Sequence, residues 1–152
     1  MKNIQTELGK QLTKILNRRG EEFSLVSSGE EYDTLQIEID NNKTVSFLYH
    51  EYPGLAYGVL LITKTIHKLT DATNIDSLIL SVNEANIKST SVITAVEVHE
   101  DDKLFALNFK TFIHLDKRTK LDRILNSAVD LHLLEVDKVI SPYFKNVSKE
   151  NE

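Results

Sequence analysis

The clearest pattern in the sequence lies in its last third, where hydrophobic and polar residues alternate along two stretches. Residues 91–99 and 103–115 flank the acidic turn Glu100-Asp101-Asp102. One face of the second stretch carries Phe105, Leu107, Phe109, Ile113 and Leu115, with Thr111 interrupting the series. A period of two is typical of a strand with one buried face, so the pattern predicts a pair of strands here.

Residues 119–140 change to apolar spacings of three and four, which predict one helix of about six turns. Its apolar residues cover an arc of roughly 200°, about twice the roughly 100° that docking on a sheet requires. Thr119 and Asp122 resemble a capping box at its start, and Ser141-Pro142 are expected to end it. The excess apolar surface is expected to be covered either by the first helix of the chain or by another protein.

The first half of the chain predicts a helix followed by strands. Residues 3–19 repeat apolar residues at helical spacing, and Gly20 stands where a left-handed residue would end such a helix. Residues 23–26 are a candidate short strand. Residues 34–40 and 45–50 alternate and are joined by Asn41-Asn42, a pair typical of a tight hairpin.

Residues 57–69 leave two interpretations open. Their β-branched residues favour a strand, and a helix is the alternative. Residues 75–88 predict a second helix, for which Thr73 or Asn74 would be the N-terminal cap.

Together these elements predict one α+β domain over residues 1–145 and a frayed polar tail at residues 146–152. The expected architecture is a twisted antiparallel sheet with three helices, in the order α-β-β-β-α-β-β-α. The helices, chiefly the first and the last, are expected to cover the apolar faces. The apolar content of 41% supports a packed core.

Composition narrows the choice of partner. The net charge is −5 and no basic stripe is present, so the phosphate contacts that bind nucleic acid are not expected. The absence of cysteine excludes disulfides and thiolate chemistry and is typical of a cytoplasmic protein. No stretch approaches the ~20 apolar residues that span a bilayer, so no membrane association is expected.

The sequence contains none of the glycine motifs of nucleotide-binding proteins or hydrolases, and no histidine pair at the spacing of a zinc protease. We therefore expect no enzyme activity, no cofactor and no bound metal. One alternative remains, in which His99 and His114 approach each other across the strand pair and act with an acidic residue.

His132 lies near the centre of the apolar arc of the last helix. The simplest expectation is a core or interface histidine with one hydrogen bond, for which Glu135 is a candidate partner because it follows three residues later. Phe112 is expected to point outward from its strand. The residues predicted to form an interface are Phe112, Leu131, His132, Glu135 and Val139.

The order of helix, antiparallel strands, helix, strand pair and long helix resembles the type III secretion chaperone-like fold and its YbjN-like relatives. The resemblance is best over residues 80–140, where the segment SVNEAN (residues 81–86) is similar to the Asn-containing helix of that family. Residues 25–69 are similar only in their succession of strands. The resemblance implies a small, acidic, dimeric cytosolic protein without catalytic residues. Its secretion members let an extended segment of a partner wrap over apolar patches.

Two functions are consistent with these features. The first is a non-catalytic, chaperone-like homodimer that holds a segment of a partner protein, such as a secreted effector. The second is an immunity protein that binds and blocks a toxin, since negative charge suits a basic nuclease partner.

Overall fold

The computed structural model describes residues 4, 6–28, 32–40, 43–52, 56–71, 73–116 and 121–145. These described residues form three α-helices and one six-stranded sheet. In chain order the elements are α1 (Glu7–Arg19), β1 (Ser24–Ser28), β2 (Tyr32–Asp40), β3 (Lys43–Tyr52), β4 (Ala56–Lys68), α2 (Ile75–Lys88), β5 (Ile93–His99), β6 (Leu104–Asp116) and α3 (Leu121–Glu135). A π-helical turn, Val136–Ile140, and a 3-10 turn, Ser141–Phe144, follow α3.

The sheet has the order β1-β2-β3-β4-β6-β5, and each pair of neighbours is antiparallel. The predicted α+β class with an antiparallel sheet is therefore confirmed. Four strands rather than three precede α2, because the short candidate strand near residue 25 pairs with β2 as the edge of the sheet.

Residues 57–69, for which two interpretations were open, lie mainly in a strand. β4 pairs with β3 over residues 56–65 on one side and with β6 along its whole length on the other. Val59, Leu61 and Thr63 alternate toward the core and are fully buried. The helical alternative is wrong. As a central strand, this β-branched segment forms a ladder of backbone hydrogen bonds with each of its two neighbours, and these ladders favour the strand.

The caps of the first two helices agree with the sequence. Thr6 caps α1 by accepting a hydrogen bond from the Gly9 N–H at 3.0 Å, and Gly20 ends it in the left-handed region with φ 73°. Asn74 caps α2 through a 3.0 Å hydrogen bond from the Ser77 N–H. These side chains satisfy N–H groups that have no partner inside a helix.

The end of α3 differs from the expected single helix. The chain changes to the π-helical turn at Val136 and to the 3-10 turn at Ser141. Pro142 sits in the first turn of the 3-10 segment, where its missing N–H removes no hydrogen bond, so the chain continues winding to Phe144. The predicted capping residue Thr119 and the predicted tail at residues 146–152 lie outside the described residues.

The three helices pack on one face of the sheet and form two clusters of buried side chains. In the first cluster α1 and α3 cover β2, β3 and β4, with Leu12, Phe47 and Val129 among its members. In the second, α2 and the turns after α3 cover β6, with Leu78, Phe105 and Phe109 among its members. Side chains of the opposite parity on each strand therefore face away from these helices.

Both edges of the sheet carry a local modification. On β5 the side chain of Asn86 pairs with the backbone of Thr94, accepting its N–H at 2.6 Å and donating to its carbonyl at 3.0 Å. On β1 the register shifts between Leu25 and Ser27. Such features limit the pairing of an edge strand with another chain.

Phe109→Ala is expected to lower the free energy of unfolding by about 3–5 kcal/mol, the usual range for a large core aromatic. Phe109 is buried and its ring meets Phe144 edge-to-face with centroids 6.1 Å apart. Denaturant unfolding measures the change. The matched control is Phe112→Ala on the same strand but the opposite face, for which a loss below about 1 kcal/mol is expected. Equal losses in the two variants would contradict the assignment of faces.

Candidate interaction surfaces and buried polar links

The five residues predicted to form an interface fall into three separate places. Phe112 lies on the sheet face that the helices do not cover, and Leu131 and Val139 lie on the outside of the helical layer. His132 and Glu135 are inside the fold, with exposed fractions of 1% and 5%. The predicted set is therefore spread over both faces of the molecule and its interior, and which of these residues contact another chain stays a prediction.

His132 connects α3 to the centre of the sheet. Its Nε2 lies 2.9 Å from Thr63 Oγ1 on β4, and its Nδ1 lies 2.7 Å from Thr111 Oγ1 on β6. A neutral imidazole has one donor and one acceptor nitrogen, and a hydroxyl can serve either role, so both ring nitrogens are satisfied. Glu135, the partner expected from helical spacing, is engaged elsewhere. Thr111 interrupts the apolar face of β6 because it pairs with this histidine.

The surroundings of His132 favour its neutral form. Burial lowers its pKa to about 4 from 6.5, and the negative charges of Glu135 and Asp137 offset this only in part. A buried imidazolium would lose its hydration without a paired carboxylate in contact. His132 therefore acts as a neutral hydrogen-bonding residue of the core.

Glu135 holds the loop between α2 and β5. Its Oε1 accepts hydrogen bonds from the Ser89 hydroxyl and the Thr90 N–H, both at 2.6 Å, and from the Ser91 N–H at 3.3 Å. Its Oε2 accepts a short hydrogen bond from the Ser91 hydroxyl. The Glu135 carboxylate therefore connects the end of α3 to the loop that precedes β5.

These hydrogen bonds determine the ionisation of Glu135. Burial by itself acts to raise the pKa, but the hydrogen bonds from Ser89, Ser91 and Thr90 outweigh it and lower the pKa to about 2 from 4.5. Hydrogen bonds to a carboxylate favour its charged form. Glu135 is therefore negatively charged in the folded protein. The signal for this in the sequence is the run Ser89-Thr90-Ser91, which supplies the hydrogen-bond donors.

The outer surface of α3 and its π-helical turn carries an apolar ridge. Leu131 and Leu134 are 51% and 56% exposed, and Val139 follows after one π-helical turn. We call these three residues the helix ridge. α1 covers another part of the wide apolar arc, since Leu125 and Val129 pack with its core residues. The first helix therefore covers part of the arc, as one of the two alternatives expected, and the helix ridge is exposed in the described chain.

The sheet face opposite the helices is also partly apolar. The register places Leu48, Leu60 and Phe112 side by side on β3, β4 and β6, and Phe112 is 54% exposed. The next row across the strands places Ile62 beside Lys110 and Ile93. We call this surface the open face, with the members Leu48, Leu60, Ile62, Lys64, Ile66, Ile93, Ala95, Glu97, Ala106, Asn108, Lys110 and Phe112.

A cavity of about 330 Å³ opens between α1, α3 and the β2–β3 pair. Its walls are mainly apolar and include Leu16, Phe47 and Val129. At its rim the guanidinium of Arg19 is paired with Asp130 at 2.7 Å. The cavity is therefore a gap between packed elements. The cation at its rim, Arg19, is already paired with a carboxylate.

The alternative built on His99 and His114 is not supported by the register. His99 pairs with Leu104 at one end of β6, whereas His114 pairs with Gly58 ten residues further along that strand, a separation of roughly 33 Å. Within the described ranges, no group of three or more His, Asp or Glu residues is placed to hold a metal ion. No helix in this part of the chain has the length and apolar character needed to cross a bilayer.

His132 is expected to make the fold sensitive to mild acid. Because its pKa falls from 6.5 to about 4 on folding, the unfolded chain binds the proton first as pH decreases. The contribution of His132 is complete above pH 6.5 and is lost as pH falls to about 4, by roughly 3 kcal/mol in total. Denaturant unfolding across this range measures the loss.

The control for this pH profile is His132→Gln, which keeps a hydrogen-bonding side chain but does not titrate. It is expected to have a flatter profile between pH 6.5 and 4, whereas His99→Gln, at an exposed position, should retain the wild-type slope. A His132→Gln profile as steep as that of the wild type would contradict the assignment.

Glu135→Gln is expected to lower the free energy of unfolding at neutral pH by about 1.5–3 kcal/mol, the value of hydrogen bonds to a charged group. Because the pKa of Glu135 is lowered from 4.5 to about 2, its contribution is present above pH 4.5 and is lost as pH falls through about 2. The gap between wild type and variant should therefore close over this range. Glu84→Gln, at an exposed position on α2, is the control with little expected effect. A gap that stays constant with pH would exclude the carboxylate as its source.

No protein-family model and no curated protein matches this chain. Among solved structures, the chain is similar to the crystal structure of YbjN from E. coli, a proposed transcription regulator. The TM-score is 0.58 over 91% of this chain and 92% of that chain, at 12% sequence identity. A likeness at this identity shows the fold and leaves function to the site. The chain therefore has a YbjN-like fold, as the order of its predicted elements indicated.

Proposed function

We propose that this chain is a non-catalytic protein-binding module that forms a homodimer in the cytoplasm and holds a segment of a partner protein in the manner of a chaperone. The observation that carries the proposal is the helix ridge. Leu131 and Leu134 are about half exposed on a helix whose other side is fully used by the core. Exposed apolar surface of this kind is typical of interfaces.

A dimer through the helix ridge would be isologous, with the same surface used by both copies. α3 is held to the sheet by His132 and to the α2–β5 loop by Glu135, so the ridge has a defined position before association. A preformed surface reduces the entropy that association costs. The homodimer is therefore a rigid assembly of two folded chains.

A protein-binding function is also compatible with YbjN being a proposed transcription regulator, provided that YbjN regulates through contacts with other proteins. The net charge of −5 disfavours direct binding to nucleic acid. The same charge keeps immunity-type binding of a basic toxin as the second hypothesis, but no feature of the described surface favours it over the first.

Leu131→Asp is expected to shift the dimer toward monomer by at least ~100-fold in Kd, because a two-fold axis would bring two buried carboxylates together. Sedimentation velocity at micromolar concentrations measures the shift. The matched control is Phe112→Asp, which introduces the same charge on the opposite face and should leave the dimer intact.

The result would contradict the proposed dimer in either of two ways. A wild-type chain that remains monomeric at high micromolar concentration excludes it. A dimer that is disrupted by Phe112→Asp and not by Leu131→Asp assigns association to the other face of the molecule.

A further inference from the structure

On the open face, strand β6 carries small side chains between larger ones on its two neighbours. Ala106 and Asn108 on β6 and Ala95 on β5 are flanked by the larger Ile66 and Ile93. The charged pair between Lys64 Nζ and Glu97 Oε2, at 3.5 Å, reaches diagonally across β6 at this point. The strip of small residues is thus bordered by apolar side chains and closed by one ion pair.

Lysine residues lie among the apolar residues of the open face. Lys64 and Lys110 project from neighbouring strands next to Ile62. Glu97 is paired with Lys64, and Asp102 lines the same small pocket as Lys64 and Ile66. The chain as a whole has a net charge of −5. Two lysines among apolar residues on an acidic protein form a local site for negative charge.

A buried donor without a partner lies in the same place. Asn108 is 4% exposed, and among the described residues its Nδ2 has no hydrogen-bond partner. Its side chain has the parity of Ala106 and Lys110 and therefore belongs to the open face. A buried N–H donor without an acceptor carries a free-energy cost, which a carboxylate or carbonyl oxygen from outside would relieve.

We propose that the open face binds an acidic, amphipathic segment of a partner protein. An acidic side chain of this segment accepts a hydrogen bond from Asn108 Nδ2 and pairs with Lys64 and Lys110. Its apolar side chains cover Phe112 and Leu60. This inference rests on the proposed protein-binding function and adds the location of the site and the chemistry of the partner.

The existing ion pair does not prevent such binding. Lys64 and Glu97 are both substantially exposed, and exposed pairs contribute little to stability. An incoming carboxylate can therefore replace Glu97 beside Lys64 at low cost, and it gains the buried amide donor that Glu97 leaves unused. Two lysines are far fewer than the phosphate contacts of a typical nucleic-acid site, which makes a protein segment the better fit.

The test uses a random peptide library displayed on phage, selected separately against the wild-type chain and against the Lys64→Glu/Lys110→Glu variant. Peptides selected by the wild type are expected to be enriched in Asp and Glu together with large apolar residues. The charge-reversed variant is expected to select Lys and Arg instead. This reversal identifies the open face by its charge, independently of any natural partner.

A selected acidic peptide, labelled for fluorescence anisotropy, then locates the contact. Asn108→Asp, which replaces the N–H donor by an acceptor of the same shape, and Phe112→Ser are each expected to raise Kd by at least ~10-fold. Lys138→Glu, an exposed charge reversal beside the helix ridge, is the control and should change Kd by less than ~2-fold. The thermal unfolding midpoint of each variant verifies that it is folded.

Several outcomes would overturn the inference. A wild-type pool without acidic enrichment, or no selected peptide at all, would do so. Binding that Leu131→Asp abolishes and the open-face variants do not would also overturn it while leaving the protein-binding function in place. Association of the wild type with phosphatidylserine vesicles that the lysine variant loses, without peptide selection, would assign the face to a lipid surface.

Discussion

The pairing of β4 with β6 is the constraint on which the rest of this structure depends. Both strands are thirteen residues long, and they are in register from Ala56 and Asp116 at one end to Lys68 and Leu104 at the other. The pairing joins the first half of the chain to the second and sets which side chains face the helices. A slip by one residue would turn Lys64 into the core and Leu61 out of it, so the apolar pattern holds the register.

The same pairing creates the polar link at the centre of the fold. It places Thr63 and Thr111 on adjacent strands where both hydroxyls reach the ring of His132. Three residues later on α3, Glu135 binds the backbone and hydroxyls of the α2–β5 loop. Because buried polar groups are costly unless satisfied, these two residues favour one position of α3 on the sheet over other apolar packings.

The placement of every described helix on one face divides the molecule into two different surfaces. The helical side presents Leu131 and Leu134, and the strand side presents Phe112 among lysines and small residues. An assembly built through the helical side would leave the strand sides of both copies pointing outward and available. The division explains why a protein with an ordinary core retains so much apolar surface.

The local pattern of the sequence was sufficient for α1 and α2 with their caps, for most of α3 and for most of the strands, because spacing, capping residues and alternation act within a few residues. It was also sufficient to predict the YbjN-like fold from the order of these elements. Whether residues 57–69 form a strand or a helix could be decided only from the sheet, because pairing with a strand on each side favours a strand there. The partners of His132 and Glu135 were likewise decided by tertiary structure. The two hydrogen bonds of His132 reach side chains that lie 69 and 21 positions away in the chain, and Glu135 binds a loop more than 40 positions away. The alternation of β6 predicted that Phe112 points outward. It did not predict which face of the sheet the helices cover, because that depends on how distant segments pack. The surface that Phe112 shares with Asn108 and Lys110 was therefore decided by tertiary structure.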